Sequence, residues 1–227
     1  ANSSVPTGEV KLSGGSWDTY RSQFDVQGGL NSAGSIRGRA VASYGQGDSW
    51  KAWGDNQSAT LYGIIDADID PKTTVSVGGM LSRNKVTGLG VHGIDMYGID
   101  GGINPYTPSF NANAKLAYSR VDTINLFAQA KHEFENRWNL QANYNYTQQQ
   151  IKSLFGVIGV ASVNYSDQDV IKGTTTYKAH YASLAASQNN FNPEEHSLDV
   201  SASGPYQLFG REHELMLGAS YQHIENN

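Results

Sequence analysis

An all-β chain folded as one large antiparallel sheet is what the sequence predicts, on three observations. Apolar and polar residues alternate with period two over most of the length. Glycine at 25 and tyrosine at 13 are abundant while proline is held to 6, a mix that favours many strands and tight turns over helices. The connections between the alternating runs are short and long by turns.

The runs can be taken in order. Segment 9–16 sets Val10, Leu12 and Gly14 against Lys11 and Ser13, and a short WDTY connection follows. Segment 21–30 sets Phe24, Val26, Gly28 and Leu30 against Gln23, Asp25 and Gln27. Asn31-Ser32-Ala33-Gly34 is turn-forming. Segment 36–47 sets Ile36, Gly38, Ala40, Ala42 and Tyr44 against Arg37, Arg39, Val41 and Ser43. After the loop WKAWGDNQ, segment 58–69 sets Leu61, Gly63, Ile65, Ala67 and Ile69 against Thr60, Tyr62, Ile64, Asp66 and Asp68. Asp70-Pro71-Lys72 turns into segment 73–83, with Val75, Val77, Gly79 and Leu81 on one side. A Gly-rich loop is expected over roughly 85–120. Segment 121–134 sets Ile124, Leu126, Ala128 and Ala130 against Asn125, Gln129, Lys131 and Glu133. Glu135-Asn136 turns into NRWNLQANYNYTQQ, with Trp138, Leu140, Ala142, Tyr144 and Tyr146 on one parity and carboxamides on the other. A long insertion over about 151–193 breaks the pattern, with a hairpin expected around Thr174–Ala186. Segments 195–207 and 213–224 flank a Phe209-Gly210-Arg211 turn and put Leu198, Val200, Ala202 and Leu215, Leu217, Ala219, Tyr221 on one face.

These are about nine strands, each near the 9–11 residues that cross a bilayer when tilted. Short turns at one end and long loops at the other are the layout of an antiparallel up-and-down transmembrane β-barrel, here about nine strands of a larger one. A strand face that is apolar and a face that is carboxamide-rich then meet two solvents, hydrocarbon outside and water inside. Trp138, Tyr144 and Tyr146 suit the membrane interfaces. Small outward residues such as Gly38, Ala40, Ala42, Gly63 and Ala67 are tolerable in lipid but would fill a sandwich core poorly. The mean hydropathy of −0.47 does not oppose this, because only every second residue meets lipid.

A formal charge of −5 without any basic stripe argues against nucleic acid. Absence of cysteine excludes disulfides and thiolate metal sites. The N-terminal Ala1-Asn2-Ser3-Ser4 has no apolar core of a signal peptide, so the chain reads as starting within a longer protein.

Several segments together resemble one family. They are GGSWDTYRSQFDVQGGLNSAGSIRGRAV (14–41), TLYGIIDADIDPKTTVSVGG (60–79), NLFAQAKHEFENRWNLQANYNYT (125–147) and SGPYQLFGREHELMLGAS (203–220). In order along the chain they resemble the first part of the barrel of TonB-dependent ferric-siderophore receptors of the ferripyoverdine and ferrioxamine type. The GSWDTYR hairpin and the GREHEL turn are the most specific pieces. The resemblance implies a barrel of about 22 strands around an N-terminal plug. It implies a place in the bacterial outer membrane, contact with its lipid, and a TonB complex recruited through an N-terminal segment absent from this chain. Residues 1–227 would then be a barrel fragment, without plug or C-terminal strands. No cofactor is implied; the ferric siderophore is transported cargo.

No motif points to catalysis. Gly88-Leu-Gly90-Val-His-Gly93 has the GxGxxG spacing but not the βαβ setting that dinucleotide binding needs. Asp66-Ala-Asp68-Ile-Asp70 begins like a calcium loop, yet Pro71 stands at the sixth place and Val77 at the twelfth. The histidines show no HExxH pair, and His213, beside a tight turn, is expected to hydrogen-bond structurally. Loop aromatics are the functional candidates: Trp50 and Trp53 flanking Lys51, then Met96, Tyr97, Tyr106 and Tyr118 in or beside the next long loop. By the resemblance, such rings grip the chelate, and iron wrapped in its siderophore needs no protein ligand. The competing reading makes these six girdle or loop-packing residues, and Trp17 and Tyr20 are expected to be hairpin or interface residues. The alternatives are a passive porin, which would favour a charged constriction loop, and a soluble all-β adhesin or binding module.

Overall fold

Alternation along each strand becomes two unlike faces of a single sheet in the computed structural model of the chain. The structure describes residues 5–88, 102–103, 105–158, 168–172, 175–179 and 184–226, with backbone alone for 157–158, 168–172, 175–179 and 184–185. The strands are β1 (Thr7–Gly15), β2 (Thr19–Gly29), β3 (Ile36–Asp48), β4 (Asp55–Asp70), β5 (Thr73–Thr87), β6 (Tyr118–Glu133), β7 (Asn139–Ile158), β8 (Gln168–Lys172), β9 (Thr175–Ala179), β10 (Leu184–Phe191), β11 (Pro193–Leu208) and β12 (Arg211–Asn226). The main sheet has ten antiparallel strands in the order β1-β2-β3-β4-β5-β6-β7-β11-β12, with β10 also on β7, and β8 pairs only with β9. The sheet is unclosed, and no helix occurs among the described residues.

All nine expected strands are present, and most are longer than the alternation indicates. β5 runs to Thr87 and β6 starts at Tyr118, so the expected 85–120 loop loses residues at both ends. The expected insertion at 151–193 is largely strand: β7 continues to Ile158, and Leu184–Phe191 pairs with Ile151–Ile158. The extra hairpin is β8–β9, a few residues before the expected position. Register is the same on both sides of Asn192-Pro193, with Phe191 opposite Ile151 and Glu194 opposite Gln148. Pro193 has no N–H for the ladder, which splits one long strand into β10 and β11. These extensions carry no period-two apolar pattern for a sequence reading to find.

Register keeps every strand in phase. One face carries the rows Phe24–Ala42–Leu61–Leu81–Ile124 and Ala67–Val75–Ala130–Ala142–Val200–Ala219. The other carries Asp25–Val41–Tyr62–Met80–Asn125–Thr147 and Arg37–Asp66–Ser76–Gln129–Asn143–Asp199. No second layer covers the apolar face: among the described residues only Ala112 and Ala117 are buried apolar side chains. Leu140 is 38% and Tyr144 42% exposed, where a sandwich would bury both. Small residues in adjacent rows, Gly28, Gly38, Ala40 and Gly63 among them, help to line an apolar groove of about 1010 Å³.

The carboxamide face is stitched across strands. Gln129 Nε2 donates to Asn143 Oδ1 at 2.5 Å, and Asn125 Nδ2 donates to Thr147 Oγ1 at 2.9 Å. Arg37 is bidentate on Asp68 at 2.5 and 2.9 Å, and Arg39 on Asp25 at 2.6 and 2.9 Å. Asp66 and Asp68 share this polar face, as expected, and no group of three His, Cys, Asp or Glu that could hold a metal is found among the described residues. Tyr62 and Phe127 stack at 6.1 Å across Gly78, where a Cβ would come within 2.5 Å of Phe127 Cζ and 2.6 Å of the Gly63 carbonyl oxygen.

At the short-turn end, Phe209 and Gly210 both take positive φ (51° and 72°), giving a two-residue hairpin whose twist matches the strands. Trp138 lies over Gly204 and donates its Nε1–H to the Pro205 carbonyl at 3.2 Å; a Cβ on Gly204 would stand 2.5 Å from the indole. The turns are tied by Lys72 to Glu135 and by Arg137 to Glu212 at 2.5 Å. The His213 ring lies tilted against that of its cross-strand partner Tyr206, centroids 5.4 Å apart, and the expected side-chain hydrogen bond is not found among the described residues.

Candidate functional site

Two loops at the long-loop end are fastened by one buried asparagine. Asn111 is 2% exposed, and its Nδ2 donates to the carbonyls of Ala52 at 2.9 Å and Gly88 at 3.1 Å. Its Oδ1 accepts from the Asn113 backbone N–H at 3.1 Å and the Asn113 Nδ2 at 2.8 Å. A single side chain thus joins the β3–β4 loop, the end of β5 and the β5–β6 loop. Gly88 is required for this: its φ is +61°, and a Cβ there would meet Asn111 Nδ2 and the Trp53 carbonyl oxygen at 2.8 Å. The Ala52 N–H donates to the Ser109 carbonyl, and the Ala114 N–H to the Gly156 carbonyl, both at 2.8 Å. The second bond brings β7 into the cluster.

The cluster holds three of the expected aromatics. Trp53, at φ 48°, donates its Nε1–H to the Asn113 carbonyl at 3.0 Å yet stays 44% exposed. Trp50 is exposed, with the Lys51 ammonium 5.4 Å from its ring centroid. Tyr106 is exposed and stacks on Phe110 at 4.4 Å, one residue from the fastening Asn111. Tyr118 stands apart. It opens β6 opposite Thr87 and Leu154, on the parity of Ile124 and Leu126, so it belongs to the outer face. Met96 and Tyr97 lie outside the described residues.

Neither Asn111 nor Asn113 stood out in the sequence, where FNANA reads as ordinary loop. The carboxamide pair two apart was the only signal available, and nothing local says that it is buried. The arrangement offers exposed flat rings on a braced frame, next to a polar inner wall. That is equipment for holding a bulky, partly apolar solute with a few polar contacts.

The architecture is that of an outer-membrane barrel wall: a single twisted sheet, lipid-facing on one side and polar on the other, with short turns at one end and long loops at the other. No family model matches the chain. Among curated proteins it is 32% identical over 221 residues to the ferripyoverdine receptor of Pseudomonas aeruginosa, covering 96% of the chain and 26% of the relative. It is 27% identical over 226 residues to the ferric-pyoverdine BN7/BN8 receptor of Pseudomonas putida, covering 98% and 26%. The solved pyoverdine outer membrane receptor of Pseudomonas aeruginosa PAO1 with bound pyoverdine superposes with a TM-score of 0.84 at 31% identity, over 96% of this chain and 30% of that one. A ferric-catecholate import receptor of E. coli, at 10% identity and a TM-score of 0.76, shares the fold alone over 96% of this chain and 31% of that one. The chain is therefore similar, over nearly all of its length, to part of the barrel of ferripyoverdine receptors, which are TonB-dependent siderophore receptors of the outer membrane. It spans about a quarter of the length of the curated relatives it matches.

Proposed function

We propose that the chain forms wall and outer loops of a receptor that binds a ferric siderophore of the pyoverdine class and imports it. Capture takes place at the long-loop end, where Trp50, Trp53 and Tyr106 present their rings. Met96 and Tyr97 remain candidates of the same loop. Tyr118 is proposed as an interface residue instead, because of its outer-face parity. Passage inward follows rearrangement of a plug, driven by a TonB complex that binds a segment outside this chain. The iron travels inside its chelate, and the receptor carries out no chemistry on it.

The single observation that carries this reading is the likeness to the ferripyoverdine-bound receptor, a TM-score of 0.82 at 31% identity over 96% of the chain. The braced aromatic cluster supplies the physical means. A soluble adhesin is disfavoured by the bare apolar face, and a porin by relatives that are named as receptors. The test is ferripyoverdine affinity of the full-length receptor with Trp53→Ala and Tyr106→Ala. Loss of a ring against a bound ligand costs about 1–2 kcal/mol, or roughly five- to thirtyfold in Kd. Unchanged affinity in both variants would remove these residues from the site.

A further inference from the structure

We propose that the inner wall of β1–β4, just below the outer loops, carries a binding site for a carboxylate group of the ferric chelate. The inference rests on the siderophore reading and adds a chemical requirement to it: the solute carries a free carboxylate. Arg21 is the centre of the site. Strand register places it opposite Ser13 on β1 and Gly45 on β3, with Ser58 of β4 opposite Gly45. Gln23 and Ser43 form the next pair on the same face. Together these residues line a pocket of about 360 Å³.

Gly45 gives the arginine its place. A Cβ there would stand 3.5 Å from Arg21 Cγ and 3.0 Å from Ser58 Oγ, so the bare backbone of β3 lets the arginine stem cross toward β4. Arg21 shares the polar parity of Asp25, as Ser58 does that of Tyr62, and it is exposed on the wall where a solute can reach it. The Gly45–Ser58 pair is three residues from Asp48, where β3 ends, and from Asp55, where β4 begins. The pocket therefore lies roughly 10 Å along the strands from the loop of Trp50 and Trp53. Rings above and a guanidinium below stand on one hairpin, within the span of one bulky solute.

The protein leaves this cation uncompensated. Among the described residues every other arginine except Arg211, at the exposed Phe209-Gly210 turn, holds a carboxylate. Arg37 pairs with Asp68, Arg39 with Asp25, Arg83 and Arg120 with Asp122, and Arg137 with Glu212. Arg21 makes neither an ion pair nor a hydrogen bond among the described residues, and the side chains of Ser13, Gln23, Ser43 and Ser58 make no hydrogen bond there either. Farther round the same wall, Asn125 is bonded to Thr147, Gln149 to Thr123 and Gln129 to Asn143. The acids next along the wall are engaged: Asp25 by Arg39, and Glu9 by Lys11 at 3.0 Å. One unpaired guanidinium among neutral donors matches the single charge and planar oxygen fork of a carboxylate. A phosphate would bring nearly two charges to one free cation.

The test is equilibrium binding to the full-length receptor of ferripyoverdine and of the same ferric chelate with its free carboxylates converted to primary amides. The natural receptor is expected to hold the carboxylate form roughly tenfold or more tightly than the amide form. Arg21→Gln is expected to weaken the carboxylate form by about that factor and to leave the amide form within about twofold, while Arg21→Lys keeps part of the discrimination. Trp53→Ala weakens both forms alike. Equal affinity of the natural receptor for the two forms overturns the carboxylate site and leaves the siderophore reading standing. An equal loss of both forms in Arg21→Gln also overturns it, and assigns Arg21 to a contact within the receptor such as an acidic side chain of the plug. Binding of neither form by the natural receptor overturns the siderophore reading and this site with it.

Discussion

Replacing Asn111 by alanine tests whether one buried side chain braces the outer loops. The substitution removes four hydrogen bonds and strands the Ala52 carbonyl and the Asn113 backbone N–H, while the Gly88 carbonyl and the Asn113 Nδ2 keep only their long mutual bond of 3.5 Å. At about 1 kcal/mol net per bond the brace loses up to about 4 kcal/mol, and about 2 kcal/mol if water enters the space and re-satisfies half of the groups. The strands below keep their ladders, so the loss falls on local opening rather than on the whole barrel. Opening of the cluster should rise by a factor of roughly 30 to 700. Hydrogen exchange on the full-length receptor is the direct assay: amides of 49–54 and 109–117 should lose protection by that factor, while β2 and β6 keep theirs. Ferripyoverdine affinity should fall with it, since Trp53 is held through the Asn113 carbonyl. Asn111→Asp should be no milder, because a carboxylate cannot donate to the two carbonyls it would face. Wild-type exchange rates throughout 49–54 and 109–117 in Asn111→Ala would refute the brace.

Three further outcomes follow from the geometry. Ala128→Arg, in the middle of the lipid-facing stretch of β6, should destabilise the folded barrel by about 2–4 kcal/mol, while Gln129→Arg on the polar face should cost far less; urea-induced unfolding in lipid measures both. Gly204→Ala should displace the Trp138 indole, whose ring atoms lie 2.5–2.8 Å from the new Cβ, and cost about 1–3 kcal/mol, seen as a lower unfolding midpoint and altered tryptophan fluorescence. The Lys72 ammonium holds the Glu135 carboxyl below its ordinary value of 4.5 in the folded state. A carboxyl lowered on folding contributes stability above its unfolded value and loses it as pH falls through the folded one. Melting curves in acid should therefore drop less steeply below about pH 4.5 for Glu135→Gln than for the natural protein, and parallel curves would dismiss the ion pair as a contributor.

Much of this molecule was settled by local pattern. Leu140, Ala142 and Tyr144 lie on one face and Asn139, Gln141 and Asn143 on the other because side chains of a strand alternate. That periodicity, together with the solvent difference it implies, is written in consecutive residues. The Phe209-Gly210 and Asp70-Pro71 turns were equally local. What the sequence could not give is anything that depends on who stands opposite. Arg21, Ser43 and Ser58 stand on three successive strands, and only register brings them round one pocket. Asn111 joins Ala52 and Gly88 across 59 and 23 residues, and nothing in FNANA marks it as buried. The upper reaches of β7 and β10 escaped notice for a related reason. There the residues do not alternate with period two, and it is backbone pairing that shows them to be strands, which leaves no trace in side-chain polarity.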